Sequence, residues 1–490
     1  MVYQGPSKGC NTCRRRRKKC DETRPSCMRC IKANRPCGGY EHDALSPFRP
    51  SAAQSLPASM SLSTARKCGI PKRVPIPGID ILPEDTIPTE ISQAESNGFA
   101  LRAFFYDCCM ISTNRNLSRE FLSGLESMAY QLGPDSDIVR ACQAVSFGSH
   151  GKPLNRPQLV RKSELFYQGL LGSFAKTIER TSPSDTAQAI RVSTLLGLYQ
   201  IVMTSETEHG DHEAHAKGLA ALMGIKNWPI SPHETVLTCI GEFLKASGVL
   251  CVPALTEHGG GLDDLLIVLC DVWTEFESTV ERTGYATLKK KCATLDLQFA
   301  QWERCRAIEF KPTTIGHIEQ GQYRLRVCAG YWPGRVDTYF DLYVAGVWNI
   351  LRVARLLLAD LTMKLSAAMG DNVDLVSIQH SANPTAQDMI ASVPYHLTDN
   401  LQAFVNGQAN RREISEPGRH LGGLLLVHPL YVASNMSFLP EDMRQYLRDC
   451  LIWIGANMGI GQATLLAKDP KIDRDYLASA CFLIWSGFLG

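Results

Sequence analysis

Six of the 18 cysteines lie in one 28-residue window of the sequence. They are Cys10, Cys13, Cys20, Cys27, Cys30 and Cys37. The window contains the spacing C-x2-C-x6-C twice, 17 positions apart. Each C-x2-C pair places two sulfurs on one side of a tight turn, where both can bind one tetrahedral metal, and the third sulfur follows a short helix. Because soft thiolates favour zinc, the window predicts a zinc site.

The ligand count indicates what kind of zinc site six cysteines can form. Two tetrahedral zinc ions need eight ligand positions, so two sulfurs must bridge both metals. Since the two halves of the window repeat, the bridges should be equivalent positions, and the first cysteine of each half, Cys10 and Cys27, are the candidates. Water and substrate then have no open position. We therefore predict a structural cluster of two zinc ions per chain that supplies most of the folding free energy of this segment.

A disulfide framework and a metallothionein-like metal store are the alternative interpretations of these cysteines. Disulfides belong to oxidising compartments, and the opening residues MVYQGPSKGC contain no apolar stretch of a signal peptide. The strict repeat and the interleaved arginines argue against a metal store. The other twelve cysteines show no ligand spacing and are mostly embedded in apolar helical patterns, so we expect them to be ordinary core residues.

Six adjacent cations fill the interval between Cys13 and Cys20. They are Arg14, Arg15, Arg16, Arg17, Lys18 and Lys19. Alone, such a run would be a solvated tail or a nuclear-import signal, but metal at both ends would make it a rigid basic edge suited to a DNA groove. Residues 1–40 carry a net charge of +9, whereas the whole chain carries +2. This asymmetry predicts double-stranded DNA as the partner of the head.

The segment CNTCRRRRKKCDETRPSCMRCIKANRPC resembles the fungal binuclear zinc-cluster DNA-binding domain over its whole length, with all six cysteine spacings. Arg14, Arg16, Lys19 and Asp21 fit the family pattern Cys-Arg-x-Arg-Lys-x-Lys-Cys-Asp, and Pro25 matches the proline that joins the halves. The resemblance implies a transcription regulator that acts in the nucleus. It also implies that the end of the first short helix reads a CGG-type triplet in the major groove.

One position departs from the family pattern, because Arg17 stands where the family more often has a base-reading lysine. Arginine offers guanine O6 and N7 a bidentate fork, so we expect Arg17 to take that role. Six other cations of the head are expected to hold phosphates, which position the domain without specifying sequence. They are Arg14, Arg15, Arg16, Lys19, Arg24 and Arg35.

Beyond the cluster, the composition changes twice. Residues 38–90 are rich in Pro, Ser and Gly and show no helical apolar period, which is typical of a linker. This stretch has no coiled-coil heptads, so we expect any homodimer to form through the region that follows. From about residue 95, apolar residues recur at three-and-four spacing in successive segments, which predicts a large all-α helical array.

These patterns predict three parts: a zinc-cluster DNA-binding domain at 1–40, a flexible linker at 41–94 and an all-helical regulatory domain at 95–490. Residues 98–226 also resemble the second type of fungal-specific transcription factor domain, through LLGLY at 195–199 and HAKGLAAL at 215–222. This resemblance implies co-regulators or the transcription machinery as further partners. Pathway-specific regulators of secondary metabolism often pair these two domains.

The sequence offers little support for an enzyme or a membrane protein. Residues 209–215 (HGDHEAH) are dense in metal ligands, but His212 and His215 are three apart rather than four, and we expect the histidines other than His215 to be solvated. The glycine run at 259–261 lacks a P-loop lysine. Arg352 and Arg355 interrupt the apolar stretch at 344–360. A zinc-dependent protein-interaction scaffold remains the main alternative to a DNA-binding regulator.

Overall fold

The computed structural model describes two compact units, Met1–Cys68 and Gly69–Gly490. The described residues are 10, 12–13, 16, 18–21, 27–33, 35, 37, 93–180, 186–207, 209–224, 261–279, 282–319, 328–371, 375–407, 414, 416–469 and 471–489. Residues 41–92 of the predicted linker at 41–94 lie outside the described residues, and residues 93 and 94 belong to the first helix of the second unit.

A short helix, α1 (Met28–Lys32), lies in the second half of the cysteine window of the first unit. The residue before the helix, Cys27, caps it, because its side chain accepts a hydrogen bond from the backbone of Cys30. The fixed spacing of the second C-x2-C pair therefore sets where this helix begins.

The described residues of the second unit are mostly helical. The first six are α2 (Gln93–Cys108), α3 (Leu125–Leu132), α4 (Asp137–Gly151), α5 (Pro157–Arg180), α6 (Thr186–Met203) and α7 (His212–Leu222). They are followed by α8 (Leu262–Ser278), α9 (Arg282–Arg304) and a 3-10 turn, Ile308–Phe310. The last seven are α10 (Leu342–Met369), α11 (Leu375–Leu397), α12 (Leu401–Gly407), α13 (His420–Ser434), α14 (Glu441–Asn457), α15 (Gly461–Lys468) and α16 (Arg474–Ser486). The predicted all-α fold class is confirmed.

Local capping explains where several of these helices begin. Ser136, Asp211 and Asp341 each accept a hydrogen bond from a backbone N–H of the first turn of α4, α7 and α10. Gly370 ends α10 in the left-handed conformation, which glycine adopts without steric cost.

Helix α10 lies in the middle of the helical unit and packs against α8, α9, α11 and α13. By length and composition it is the one described helix that could cross a membrane, but 67% of its apolar window is buried inside the protein. The two arginines that interrupt it have protein partners: Arg352 donates to Asn349, and Arg355 pairs with Asp296 and Glu303 of α9. Its apolar character is thus used for core packing in this structure.

A two-stranded antiparallel sheet, which the sequence patterns do not predict, lies between α9 and α10. Strand β1 (Thr313–Ile318) pairs with β2 (Gly334–Thr338), and the register shifts between Thr314 and Gly316. Arg335 of β2 pairs with Asp388 of α11, so the hairpin is tied to the helices by charge as well as by packing.

Most of the nine described cysteines outside the head are core residues, as predicted. Six of them are buried: Cys108, Cys142, Cys270, Cys292, Cys450 and Cys481. Cys109, Cys305 and Cys328 are half-buried, and the predictions for Cys68, Cys239 and Cys251 fall outside the described residues.

Candidate zinc cluster and nucleic-acid interface

The six cysteine sulfurs of the head form two overlapping groups of four. The sulfurs of Cys10, Cys13, Cys20 and Cys27 lie within 4.8 Å of one another, and so do those of Cys10, Cys27, Cys30 and Cys37. The two groups share Cys10 and Cys27. Two metals with two bridging sulfurs require this arrangement. The two shared residues are the first cysteines of the two halves.

The distances between the sulfurs suit zinc. Tetrahedral zinc with bonds of about 2.3 Å to sulfur has sulfurs roughly 3.8 Å apart. The Cys10 and Cys27 sulfurs are 3.6 Å apart, that of Cys13 is 3.7 Å from Cys27, and that of Cys10 is 3.9 Å from Cys30. The residues present therefore fit two four-sulfur sites with a common edge.

Backbone N–H groups support the sulfurs in the same way in each half. The amide of Cys13 donates to the sulfur of Cys10 at 3.4 Å, and the amide of Cys30 donates to the sulfur of Cys27 at 3.3 Å. The amides of Cys10 and Cys27 donate to the third cysteine of their own half, both at 3.4 Å. The sequence repeat is thus also a structural repeat, and these donors stabilise thiolates.

Burial of the cysteine sulfurs disfavours their charged thiolate form. It raises the pKa of the Cys10, Cys13 and Cys30 thiols to about 12. A cysteine thiol that is not bound to metal is mostly protonated at neutral pH, because its ordinary pKa is about 8.5. Zinc must therefore displace protons when it binds, and acid must favour its release.

The described part of the basic run is open to solvent. Arg16, Lys18 and Lys19 are exposed, and the Lys18 amide donates to the carbonyl of Cys13 at 3.0 Å. Their charges are thus held close to the metal-binding turn. Arg14, Arg15 and Arg17 lie outside the described residues.

One cation of the head has a structural role that the sequence patterns do not suggest. Arg29 donates from its side chain to the carbonyl of Lys19 at 2.8 Å, and its backbone N–H donates to Asp21 at 3.0 Å. Arg29 and Asp21 therefore brace the end of the first half against α1. Asp21, which fits the family pattern, is the one residue of this contact that the sequence analysis had singled out.

Comparison with known proteins identifies the family. Residues 8–45 match the fungal Zn(2)-Cys(6) binuclear cluster domain. The transcription factor dbaG of Emericella nidulans is 40% identical over 423 residues, which is 83% of this chain and 100% of that protein. The chain belongs to the fungal Zn(2)-Cys(6) transcription factors. The predictions of a cluster of two zinc ions and of DNA-binding transcription regulation are thereby confirmed.

Two further relatives share shorter stretches. Arginine metabolism regulation protein II of Saccharomyces cerevisiae is 61% identical over 33 residues, 7% of this chain and 4% of that protein. The aspercryptin biosynthesis cluster-specific transcription regulator atnN of Emericella nidulans is 60% identical over 38 residues, 8% of this chain and 6% of that protein. No solved structure matches the chain.

The histidine-rich stretch at 209–215 does not gather metal ligands. His212 is fully buried, not solvated as predicted, and its Nε2 donates to the carbonyl of Tyr476 at 2.8 Å. The Nε2 of His215 lies 2.7 Å from the hydroxyl of Tyr167. Burial lowers the pKa of both rings, that of His215 to about 4. These are neutral side chains that hold α7 to α5 and α16.

Proposed function

We propose that this transcription factor binds CGG-type triplets in the nucleus and regulates a specific pathway of secondary metabolism. The six cysteines of the head are the zinc ligands, with Cys10 and Cys27 as the bridges. The observation that carries the proposal is the pair of four-sulfur groups that share these two cysteines, with exposed cations directly beside them. The name of atnN, a cluster-specific regulator of a biosynthetic pathway, supports the pathway assignment.

Within the basic run, we assign the roles from the chemistry of the side chains. Arg16 and Lys19 are exposed cations next to the cluster, and with Arg14, Arg15 and Lys18 they hold phosphates. Arg17 reads a guanine edge, because a guanidinium can donate to O6 and N7 together. Sequence preference should therefore depend mainly on one side chain, and overall affinity on the summed charge.

The helical unit serves regulation and assembly in this proposal, and the protein is not an enzyme. Co-regulators or the transcription machinery bind it, and any homodimer forms through it. The absence of heptads after Cys37 in the sequence supports this division of roles. A flexible link at 41–94 would let two heads tolerate several half-site spacings.

A mobility-shift titration of the full-length protein tests the proposal. One duplex carries a CGG triplet, and its control has the same composition with the triplet scrambled. We expect tighter binding to the first and a steep fall in affinity for both with salt, because phosphate contacts release counterions. Equal affinity for the two duplexes would favour the interaction scaffold.

The assembly part needs a separate measurement. Sedimentation of the full chain on a single-triplet and on a palindromic duplex should give two chains per palindrome with little dependence on half-site spacing. One sharply preferred spacing would contradict a flexible link.

A further inference from the structure

Three metal-binding side chains from distant parts of the helical unit meet at one point. Asp107 is near the end of α2, His150 is in the last turn of α4, and His420 is the first residue of α13. One ligand atom from each lies within 4.8 Å of the other two. Nothing in the zinc-cluster function of the head uses this triad.

Two of the three separations in the triad suit ligands of one metal ion. Asp107 Oδ2 lies 3.1 Å from His150 Nε2 and 3.2 Å from His420 Nδ1. Ligands about 2.0–2.1 Å from a common metal are roughly 3.0 Å apart in octahedral and roughly 3.4 Å apart in tetrahedral geometry. The observed separations lie between these two values.

The hydrogen bond on the far side of His150 fixes its tautomer. His150 Nδ1 lies 2.9 Å from the carbonyl oxygen of Ser146, which can only accept, so Nδ1 carries a proton. In the neutral ring, the Nε2 lone pair then faces the carboxylate of Asp107. Two electron pairs at this distance repel each other unless a cation, either a second ring proton or a metal ion, lies between them. A second-shell backbone carbonyl on the other nitrogen is also the usual arrangement of a metal-bound histidine.

His420 supplies an independent indication. It is 7% exposed, and neither of its ring nitrogens makes a hydrogen bond of acceptable geometry within the described residues. Leaving both nitrogens of a buried imidazole unsatisfied is costly in free energy. A metal on Nδ1 would satisfy the nitrogen that points into the triad.

The charge of the site suits a cation. A carboxylate oxygen and two imidazole nitrogens are ligand types that divalent transition metals accept. The Asp107 and His150 side chains are 12% and 23% exposed, so an ion can reach the site from solvent.

We propose that Asp107, His150 and His420 bind a divalent transition metal, with zinc as the first candidate. Two imidazoles and one carboxylate leave a fourth position for water or an external ligand, unlike the closed sulfur cluster of the head. The metal would connect α2, α4 and α13, which are distant in sequence. The site makes the helical unit responsive to metal independently of DNA binding.

The metal content of the full-length protein provides the test. Protein with its head cluster loaded is equilibrated with excess zinc, desalted and analysed for zinc per chain. We expect three ions in the wild type and two in Asp107→Asn, which keeps the size of the side chain and removes the charge. His317→Ala, which removes an exposed histidine of β1, is the matched control and should keep three.

Cobalt loading separates this site from the cysteines. With zinc retained in the head, one added equivalent of Co²⁺ should give visible bands without thiolate-to-cobalt charge transfer, and zinc should raise the thermal midpoint of the wild type. The wild-type measurements decide the question even if a variant fails to fold. Two zinc ions in the wild type would overturn the proposal and leave an ion-paired histidine cluster. A third ion that persists in Asp107→Asn, or that shows thiolate charge transfer, would overturn it too.

Discussion

Acidification should destabilise the helical unit through His396, a buried residue near the end of α11. Its Nδ1 lies 3.1 Å from the carbonyl oxygen of Gly422, and its Nε2 lies 3.3 Å from the side-chain nitrogen of Asn349. Because the carbonyl accepts and the amide donates, the ring is held neutral with its proton on Nδ1. Burial is the main reason why its pKa falls to about 3, and the nearby Arg352 lowers it further.

The sign and size of the effect follow from linkage. In the unfolded chain the ring titrates near ~6.5, so below that pH the unfolded state binds more protons than the folded state. The contribution of His396 to the free energy of unfolding is fully present above this pH and is lost as the pH falls towards 3. The loss is about 2 kcal/mol at a pH of about 5 and approaches roughly 5 kcal/mol at the acid end.

Urea unfolding followed by tryptophan fluorescence measures this effect in the full chain. All seven tryptophans lie at or beyond position 228, so the signal reports the helical unit and not the head. The informative variant is His396→Gln, whose amide can donate to Gly422 and accept from Asn349 but does not titrate. We expect it to lose about 2 kcal/mol less than the wild type between pH ~7 and ~5.

His317→Gln is the control, since it changes an exposed histidine and should retain the wild-type pH dependence. Parallel pH profiles for the wild type and His396→Gln would refute the reasoning. They would mean that protonation of His396 does not accompany unfolding in this range.

Three further predictions concern the head and the helix contacts. Cys27→Ala should remove both zinc ions from the head, whereas Cys37→Ala should remove one, as measured by native mass spectrometry; equal losses would contradict bridging by Cys27. Arg17→Ala should cost about 1–3 kcal/mol on the CGG duplex and relax base preference, whereas Arg15→Ala should weaken binding to all duplexes alike. Gly422→Ala should lower the urea midpoint strongly, because a Cβ there would overlap a backbone carbonyl of α11.

The zinc cluster of the head could be predicted because its cysteines are close together in sequence. Two residues between the first cysteines of each half place their sulfurs at one turn, and the repeat predicts Cys10 and Cys27 as the bridges. Arg29 was the exception: its contacts with Lys19 and Asp21 depend on how the two halves face each other.

The helical unit was predictable in class but not in detail. Apolar residues at three-and-four spacing indicated helices from about residue 95 onward. The sheet of Thr313–Ile318 and Gly334–Thr338 was missed, since two short strands give little alternation to detect. His212 was expected to be solvated because its neighbours are polar, yet α7 turns it inward onto Tyr476.

The two histidine groups of the helical unit show why ligand density in a sequence and ligand convergence in a fold are different properties. The stretch at 209–215 is the densest run of potential ligands outside the head, yet His212 and His215 contact different helices and share no ion position. Asp107, His150 and His420 are isolated in sequence, and each is placed by the end or the start of a helix. Only the packing of α2, α4 and α13 brings their ligand atoms together. A site of this kind is a product of tertiary structure, so its occupancy should depend on the folded helical unit, whereas the head cluster depends on its own short sequence.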